Sequence, residues 1–545
     1  MSWRSRSQTL ILAIVTATVA LSAQRGGRGA APADEKARPW FGTTLPPPLS
    51  DPRKPVMKYD DAFGPIPTAF VYRPGRSDEL LDASALKADQ KKIVGFSIES
   101  LNAGDTVWGR RAATPAFQHT IEWVVSEFKS AGLRDARVEP FAVTGTMWVP
   151  QSWRVQTVGD PAFGAGTQNV TLQSAFPQPG GVTIPGGTLT ASVIYVGHGT
   201  DADLAGRDVR GKIAVVHIRP EPSLFGSAEQ GVAARLVEKG GAVGVINAIE
   251  GPGNAQYIDP RFACGKAPCF IVGGQDAWFL QTVIGKAANA GVLDKLKIGM
   301  RLTSTEQGEL KSANGIATIP GRSAKRIIIN AHADGYFQGG DDNASGLAVL
   351  VSLARYFAKQ PQPAHTLMFV ASGGHHGPGN GPSSLVAAHP ELKDGTVLIL
   401  NLEHVAYTDV VRGKVRATGN IGMSWETSVT ESAKAVGVTN ESPFLFDLWK
   451  RASRCFGVAT YQSAGTTVSG DLGGYRLLSV PMTQMIQSGT FYHSSGDVYE
   501  EVPAAGLERA ARFHAYFVEK ADQAAESLIA AGKGTPYQPS GPACP

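Results

Sequence analysis

Apolar residues recur at helical spacing in two segments that follow a polar N-terminal stretch. Residues 81–100 mix apolar and charged side chains, and residues 116–131 place apolar side chains on one side and end before Gly132. Such spacing predicts amphipathic helices, and glycine is a frequent stop residue after a helix. The strand-like run ARVEPFAV follows directly. This pattern predicts a helix-helix-strand unit that opens an α/β domain.

Between residues 158 and 298 the pattern changes to short β-rich runs. TASVIYVGHG and GKIAVVHIR are separated by a turn region that contains Gly and Asp. A helix is predicted over Ala228–Lys239, and the buried run GGAVGVINAI follows it. This stretch predicts a small β-rich domain inserted into the first one.

The α/β pattern resumes near Ala313. The apolar segment Ala344–Ala358 predicts a helix, and three consecutive isoleucines just before it suit a strand in a sheet covered on both faces. The fold class is therefore α/β, with one discontinuous domain formed by residues 80–157 and 299–530 around the smaller domain at 158–298. Four strands are predicted in the second half, at residues 326–330, 365–372, 396–403 and 477–485.

The totals support two or three globular domains. The chain has 545 residues, of which 43% are apolar and 18% are charged, and its formal net charge is +4. Several positive charges lie in the N-terminal segment, so the balance gives no signal for nucleic-acid binding. Residues 24–79 open with a stretch rich in Gly, Arg, Ala and Pro that predicts a linker or extended arm, and residues 531–545 form a C-terminal tail.

The first residues carry the features of an export signal. Arg4 and Arg6 precede an apolar run at residues 10–21, and a Leu-Ser-Ala step ends at Ala23. This pattern predicts a signal peptide at 1–23 and a secreted or periplasmic protein. A retained N-terminal anchor is the alternative, although the run is short for a membrane span and no later stretch is long enough.

The four cysteines fit an oxidising compartment. Cys264 and Cys269 bracket a short turn that a local disulfide could close, which leaves Cys455 and Cys544 to tie the tail to the body. Sequence alone allows three connectivities, and this one is preferred. No cysteine lies near the metal-type residues described next, so thiolate ligation is not expected.

Residues that bind metals follow the predicted strands of the second half. In open α/β sheets ligands bind beyond the carboxyl ends of the strands, and imidazoles combined with carboxylates suit a borderline metal ion. The simpler alternative is a polar loop before a helix capped by Asn343 or Ser345. The candidate residues are His332, Asp334, Asp341, Asp342, His375, His376, Glu403 and His493.

The β-rich runs, from TASVIYVGHG to EKGGAVGVINA, resemble the protease-associated domain, a non-catalytic module often inserted in exopeptidases. His198 and His217 lie in this region. We expect structural or surface roles for both of them rather than metal ligation.

The motif HADGYFQGGDDNASG resembles that of the co-catalytic zinc exopeptidases, which include bacterial leucyl aminopeptidases, glutamate carboxypeptidase II and the transferrin receptor. The likeness runs from about residue 80 to residue 530 and implies a three-layer αβα domain with two zinc ions. It assigns His332 to the first metal and Asp342 to the bridge between both metals, with Asp334 orienting the His332 ring. Asn343 sets the register on Asp342 rather than Asp341.

The closing motif Phe-Tyr-His-Ser-Ser-Gly-Asp also matches the family and assigns His493 to the second metal. Glu403, in ILNLEHVAY, stands where the family usually has an aspartate ligand. It has the same charge and one more methylene, so the resemblance still implies ligation by Glu403.

The segment MFVASGGHHGPGN departs from the family, which has two adjacent glutamates here, a general base followed by a ligand of the second metal. One count places Gly373 and Gly374 at these positions and leaves both roles empty. A second count makes His375 the ligand and Gly374 the residue at the base position. We prefer a displaced loop that makes His375 the base and His376 the ligand, because imidazole is a common zinc ligand.

Other candidates have smaller expected roles. His404 should point to the opposite face of its strand from Glu403 and be structural. Asp471 resembles a family Ser-Asp step and could orient a ligand or a substrate amine, and Tyr492 either donates to an oxyanion or packs. Of the remaining histidines, His365 and His389 are expected at the surface. His119 and His514 are expected in helices.

These expectations define a secreted two-zinc exopeptidase that hydrolyses terminal peptide bonds, with aminopeptidase favoured by the resemblance and His375 moving the proton. Its partner would be a peptide substrate. A catalytically impaired pseudo-peptidase that acts in binding is the first alternative, because the Glu-Glu pair is missing. An acyl transfer of the glutaminyl-cyclase type is the second.

Overall fold

The computed structural model describes residues 78–539 apart from 165, 221–222, 409, 418–419, 428–430, 432 and 464–467, and describes residues 78, 411–417 and 420–427 by their backbone alone. The predicted signal peptide, nearly all of the predicted linker and Cys544 lie outside the described residues. Among those described, no helix combines the length and apolar character needed to cross a bilayer.

Helices and strands alternate through the described chain. The helices are α1 (Ala83–Ala103), α2 (Pro115–Ser130), α3 (Asp201–Leu204), α4 (Val232–Glu238), α5 (Gly274–Asn289), α6 (Ala344–Ala358), α7 (Gly381–Ala388), α8 (Leu392–Gly395), α9 (Pro443–Phe456), α10 (Ala504–Asp522) and α11 (Glu526–Ala530). The strands are β1 (Gly109–Arg110), β2 (Arg134–Ala142), β3 (Met147–Val158), β4 (Val170–Thr171), β5 (Phe176–Pro177), β6 (Leu189–Tyr195), β7 (Ile213–Ile218), β8 (Gly244–Ile249), β9 (Cys269–Val272), β10 (Lys297–Gln307), β11 (Lys311–Ile319), β12 (Ser323–His332), β13 (Gly335–Tyr336), β14 (His365–Ser372), β15 (Thr396–Leu402), β16 (Val410–Ala417), β17 (Asn420–Thr427), β18 (Lys434–Val438), β19 (Thr460–Gln462) and β20 (Met482–Ile486).

The first large sheet has the strand order β19-β18-β20-β15-β12-β14-β11-β2. Its four central strands β20, β15, β12 and β14 run parallel, and β11 and β2 continue the sheet in antiparallel fashion. Ile327 and Ile329 pack into the core on one face, whereas Ile328 packs into a second core on the other. The isoleucine run therefore marks a strand covered on both faces, and the α/β fold class is confirmed.

Helices cover both faces of this sheet. On the first face the core contains apolar residues of α1, α2, α6 and α10, and α6 is buried along almost its whole length. On the second face the smaller core takes Leu385 and Val386 from α7 and Leu472 and Tyr475 from a 3-10 helix. This arrangement gives the three layers expected from the sequence.

The second large sheet has the order β4-β3-β10-β6-β7-β8-β9-β5, and β6 to β9 are parallel. The chain forms it between β2 and β11, so this sheet interrupts the first one in sequence. Strands β3 and β10 pair along eleven positions of β10, from Met147 to Val158 and from Lys297 to Gln307. The sheet thus extends about ten residues beyond the range 158–298 at each end.

Two predictions on the backbone have clear outcomes. Cys264 and Cys269 form a disulfide, and Cys455 is also disulfide-bonded, although its expected partner Cys544 is not among the described residues. The strand predicted at 477–485 is wrong at its start, because residues 470–478 form a 3-10 helix in which Leu477 is 75% exposed. The glycines of GDLGGY favour this tight turn, and the strand begins only at Met482.

One buried histidine makes stability depend on pH. The His514 side chain in α10 is fully buried against Trp449 and Phe513, and burial lowers its pKa to about 4. Since an unfolded histidine titrates near pH 6.5, the unfolded state takes up a proton first as the pH falls. This group's contribution to stability is therefore full above pH 6.5 and is lost progressively toward pH 4, by about 3 kcal/mol.

We expect His514→Phe to flatten the fall in unfolding free energy between pH 7 and pH 4.5. Denaturant unfolding at several pH values measures this slope, and the absolute stability of the variant does not enter the comparison. His514→Gln, which also removes the titrating ring, should give the same flatter slope. An unchanged slope in both variants would show that another group causes the acid sensitivity.

Candidate metal centre

The predicted metal-type residues converge at the carboxyl ends of the parallel strands. His332 is the last residue of β12, His375 and His376 follow β14, and Glu403 follows β15. His493 lies in the loop after β20. All five residues meet at one edge of the sheet, as the sequence predicted.

The Asp342 carboxylate lies at the centre of this cluster, surrounded by imidazoles. Its side chain is almost fully buried. Oδ1 lies 3.3 Å from Nε2 of His332, 3.0 Å from Nε2 of His376 and 3.2 Å from Nε2 of His404. Oδ2 lies 3.3 Å from Nε2 of His493. The pKa of Asp342 is held well below its usual value, because the imidazoles outweigh the effect of burial.

Asp497 fixes the backbone that carries this carboxylate. Its two oxygens accept hydrogen bonds from the backbone N–H groups of Asp341, at 2.6 Å, and Asp342, at 3.0 Å. Burial raises the pKa of Asp497 to about 6. The Asp341 carboxylate accepts a hydrogen bond from the Ser345 hydroxyl at 3.2 Å. The preference for Asp342 over Asp341 therefore agrees with the geometry.

A buried arginine holds the loop between His332 and Asp342. The Arg110 guanidinium is fully buried and donates to the backbone carbonyls of Ala333, Gln338 and Gly339 at 3.2, 2.6 and 3.1 Å. Burial lowers its pKa to about 10. Sequence reasoning missed Arg110, because nothing near it in the chain connects it with a loop more than two hundred residues away.

Asp334 contacts both His332 and the loop that carries His376. Nδ1 of His332 donates to the backbone carbonyl of Asp334 at 3.0 Å, whereas the Asp334 carboxylate is 3.7 Å away from that nitrogen. The carboxylate instead accepts a hydrogen bond from the backbone N–H of His376. Asp334 therefore orients the His332 ring through its main chain and fixes the His376 loop through its side chain.

His376 lies beside Asp342 and His493, and the three form a group of possible metal ligands. Its ring is buried with Nε2 facing Asp342, and it contacts the His493 ring with 4.8 Å between centroids. Burial lowers the pKa of His376 well below its usual value, so the neutral ring that can bind a metal is favoured.

His375 lies beside the cluster rather than at its centre. Its ring stacks on His332 at 4.0 Å, and its Nδ1 lies 2.8 Å from Oδ1 of Asp471. Its Nε2 lies 3.7 Å from Oε1 of Glu403. Burial alone would lower the pKa of His375, but the carboxylates of Glu403 and Asp471 outweigh it and raise the pKa well above its usual value. Asp471 thus orients the imidazole predicted to move a proton.

The expectation for His404 was wrong. It was placed on the opposite face of its strand, yet its Nε2 lies 3.2 Å from Asp342. Strand β15 ends at Leu402, and His404 has a φ of +51°, in the left-handed region. The alternation of a strand no longer applies beyond that point, so the side chain turns into the cluster.

The loop between β8 and β9 of the second large sheet, called here the second sheet region, contacts His493. Oδ2 of Asp259 lies 3.4 Å from Nδ1 of His493, and the Asp259 side chain is fully buried and paired with Arg261. The backbone N–H of Ile258 donates to the carbonyl of His493 at 3.0 Å. Burial would raise the pKa of Asp259, but Arg261 and His493 lower it well below its usual value. No local signal in the sequence links Asp259 to His493.

The other histidines pair with carboxylates away from the cluster. The expectation of a surface position is wrong for His365, which is buried and lies 3.2 Å from Asp522, because the ring lies where β14 meets the end of α10. The other pairs are His119 with Glu99, His198 with Glu229, His217 with Glu250 and His389 with Glu139.

The donor set fits zinc. Two groups of three possible ligands share Asp342, one with His332 and His404 and the other with His376 and His493. Ligand atoms bound about 2.0–2.1 Å from a tetrahedral zinc lie about 3.3 Å apart, which matches the separations around Asp342. Nε2 atoms of His332, His404 and His493 are buried and have no hydrogen-bond partner. Metal coordination would satisfy these three nitrogens.

A cavity of about 450 Å³ opens beside the cluster. His375, Glu403 and His404 line it, and so do Phe225 and Tyr461, whose aromatic side chains are about half exposed. The Tyr492 ring also borders it and stacks on His493 at 3.7 Å, which agrees with a packing role for this tyrosine. The cavity gives a small molecule or a chain terminus access to the cluster.

Residues 314–518 match the family described as Peptidase family M28. This segment carries the whole cluster around Asp342. For this segment, the expected resemblance to the zinc exopeptidases is confirmed. No curated protein matches the chain.

Solved structures share the fold. An aminopeptidase from Aneurinibacillus sp. strain AM-1 is similar with 20% identity and a TM-score of 0.52, over 85% of this chain and 99% of the other. A zinc aminopeptidase from Bacillus subtilis is similar with 18% identity and a TM-score of 0.54, over 82% of this chain and 98% of the other. A peptidase M28 precursor from Shewanella amazonensis SB2B is similar with 18% identity and a TM-score of 0.57, over 86% of this chain and 100% of the other. Each of these similarities covers at least 82% of this chain.

We expect Asp259→Asn to weaken zinc binding about 10- to 100-fold, the usual effect of removing a group that orients a ligand. The carboxylate facing Nδ1 of His493 would be lost, while the side-chain shape would be kept. Competition with a chromophoric chelator measures the affinity. Asp294→Asn, at a side chain 72% exposed in the same region, is the matched control and should bind zinc normally. Equal affinities in the two variants would remove Asp259 from the metal centre.

Proposed function

We propose that this protein is a secreted zinc-dependent exopeptidase that acts as an aminopeptidase. The observation that carries the proposal is the Asp342 carboxylate with imidazoles on both of its oxygens, at the carboxyl ends of the parallel strands of an M28 peptidase domain. The predicted export signal at residues 1–23 supports secretion. The substrate is a peptide.

Two zinc ions would be held around the bridging Asp342. His332 belongs to the first site, where the family resemblance also assigns Glu403, and His376 and His493 belong to the second. When bound, zinc ions supply Lewis acidity, which polarises a carbonyl and makes water a nucleophile at neutral pH. The protein supplies buried, preoriented donors and the loop contacts that hold them.

His375 is the proton carrier in this proposal. The glutamates of the family are replaced around Gly373 and Gly374, and the Gly374 backbone, at a φ of +90°, turns the following residues toward the cluster. Asp471 fixes Nδ1 of His375, so Nε2 is the atom left to accept a proton and return it to the leaving amine. The raised pKa of His375 describes the protein without metal, and nearby dications would oppose protonation.

The charges of the cavity favour a substrate amine over a substrate carboxylate. Among the described residues that line it there is no lysine or arginine, whereas Glu403 contributes a carboxylate near His375. An ammonium terminus would be attracted by this carboxylate, whereas a carboxylate terminus would find no lysine or arginine among the described lining residues to pair with. This contrast supports aminopeptidase over carboxypeptidase.

We expect the purified protein to contain zinc and to release the first residue of peptides with a free amine. N-acetylated peptides should not be cleaved, and a chelator should abolish turnover until zinc is restored. Metal analysis and a panel of aminoacyl and N-blocked substrates test this. Bound zinc without turnover on any substrate would favour the pseudo-peptidase, which the missing glutamate pair keeps as the second candidate.

We expect His375→Ala to lower kcat about 10²- to 10⁴-fold, the usual contribution of a general base, without loss of zinc. Steady-state kinetics and metal analysis on the same preparation separate proton transfer from metal binding. His119→Ala, at an exposed histidine paired with Glu99, is the control and should keep full activity. Loss of zinc in the His375 variant would make this residue a ligand and contradict its proposed role.

A further inference from the structure

We propose that His404, not Glu403, completes the first metal site, and that Glu403 faces the substrate cavity instead. This inference rests on the proposed two-zinc centre. It assigns two imidazoles and a shared carboxylate to each ion, with His332 and His404 on one side of Asp342 and His376 and His493 on the other.

The position of the His404 ring carries the first step. Its Nε2 lies 3.2 Å from Oδ1 of Asp342, a separation typical of two ligands on one tetrahedral ion. The ring is buried and this nitrogen has no hydrogen-bond partner. Together with His332 and Asp342, His404 forms a group of three donor atoms close enough to share one ion.

The other ring nitrogen of His404 is already held. Nδ1 lies 3.3 Å from the Ser488 hydroxyl, which can accept its proton and leave Nε2 with a free lone pair. The backbone N–H of His404 donates to the Asn343 side chain, and the N–H of Val405 donates to the Ser345 hydroxyl. The turn that aims His404 is thus fastened to the segment that carries Asp342.

Glu403 is held in a different direction. Its Oε2 accepts a hydrogen bond from Asn401 at 2.7 Å, and its Oε1 lies 3.7 Å from Nε2 of His375 and 4.0 Å from Nε2 of His332. It belongs to none of the groups of candidate ligands found among the described residues. Because it also lines the cavity, its charge is placed to hold the ammonium terminus of the substrate.

The test compares zinc content in two single variants. His404→Ala should retain one zinc per chain where the wild type retains two, and Glu403→Gln should retain both but raise KM for free-amine substrates. Two zincs in His404→Ala, or only one in Glu403→Gln, would overturn the inference. Circular dichroism and thermal unfolding show whether each variant is folded.

A second variant gives a direct signature that does not depend on activity. In cobalt-loaded His404→Cys, a thiolate ligand should produce a near-ultraviolet sulfur-to-cobalt charge-transfer band, and cobalt-loaded Glu403→Cys should lack it. The band in the Glu403 variant alone would overturn the inference. A wild-type protein that binds no zinc or cobalt would refute the two-zinc centre itself. If the wild type binds cobalt normally but cobalt-loaded His404→Cys shows no charge-transfer band, only this ligand assignment is refuted.

Discussion

A carboxylate buried among imidazoles is the constraint on which the rest of this structure depends. Taking the Asp342 charge out of water costs several kcal/mol unless partners replace its hydration. Here rings approach both oxygens, and Asp497 holds the backbone N–H of Asp342 itself. Arg110 adds a buried cation that fixes the preceding loop. Each of these contacts needs a strand end or loop at a set position, so the fold around them has little freedom.

The parallel strands supply that positioning. Their carboxyl ends lie side by side, and the loops that leave them carry donors from distant parts of the chain to one place. Asparagines inside the strands add further buried hydrogen bonds next to the cluster. Asn330 donates to both Asn401 and Asp471. Asp471 in turn holds His375. The site is therefore built as layers of polar contacts on a rigid sheet, which is how precise donor placement is maintained.

The sequence was informative where function and local pattern coincide. The isoleucine run predicted a strand covered on both faces, and the spacing after His332 predicted that Asp342 would lie close to it. His404 was misjudged because a left-handed backbone ended the alternation of the strand, and a single sequence gives no sign of that conformation. Arg110 and Asp259 were missed because they act across the fold, from an early loop and from the second sheet region. Local periodicity carries no information about such contacts.

The bridge between Tyr257 and Ser494 has a consequence for how the two sheet regions behave together. The loop that carries His493 is paired with a segment of the second sheet region, so the two cannot separate without shifting a donor of the centre. By thermodynamic reciprocity, any ligand of His493 whose binding this contact favours would strengthen the contact by the same factor. The contact between Tyr257 and Ser494 therefore ties the position of His493 to the packing of the segment around Tyr257.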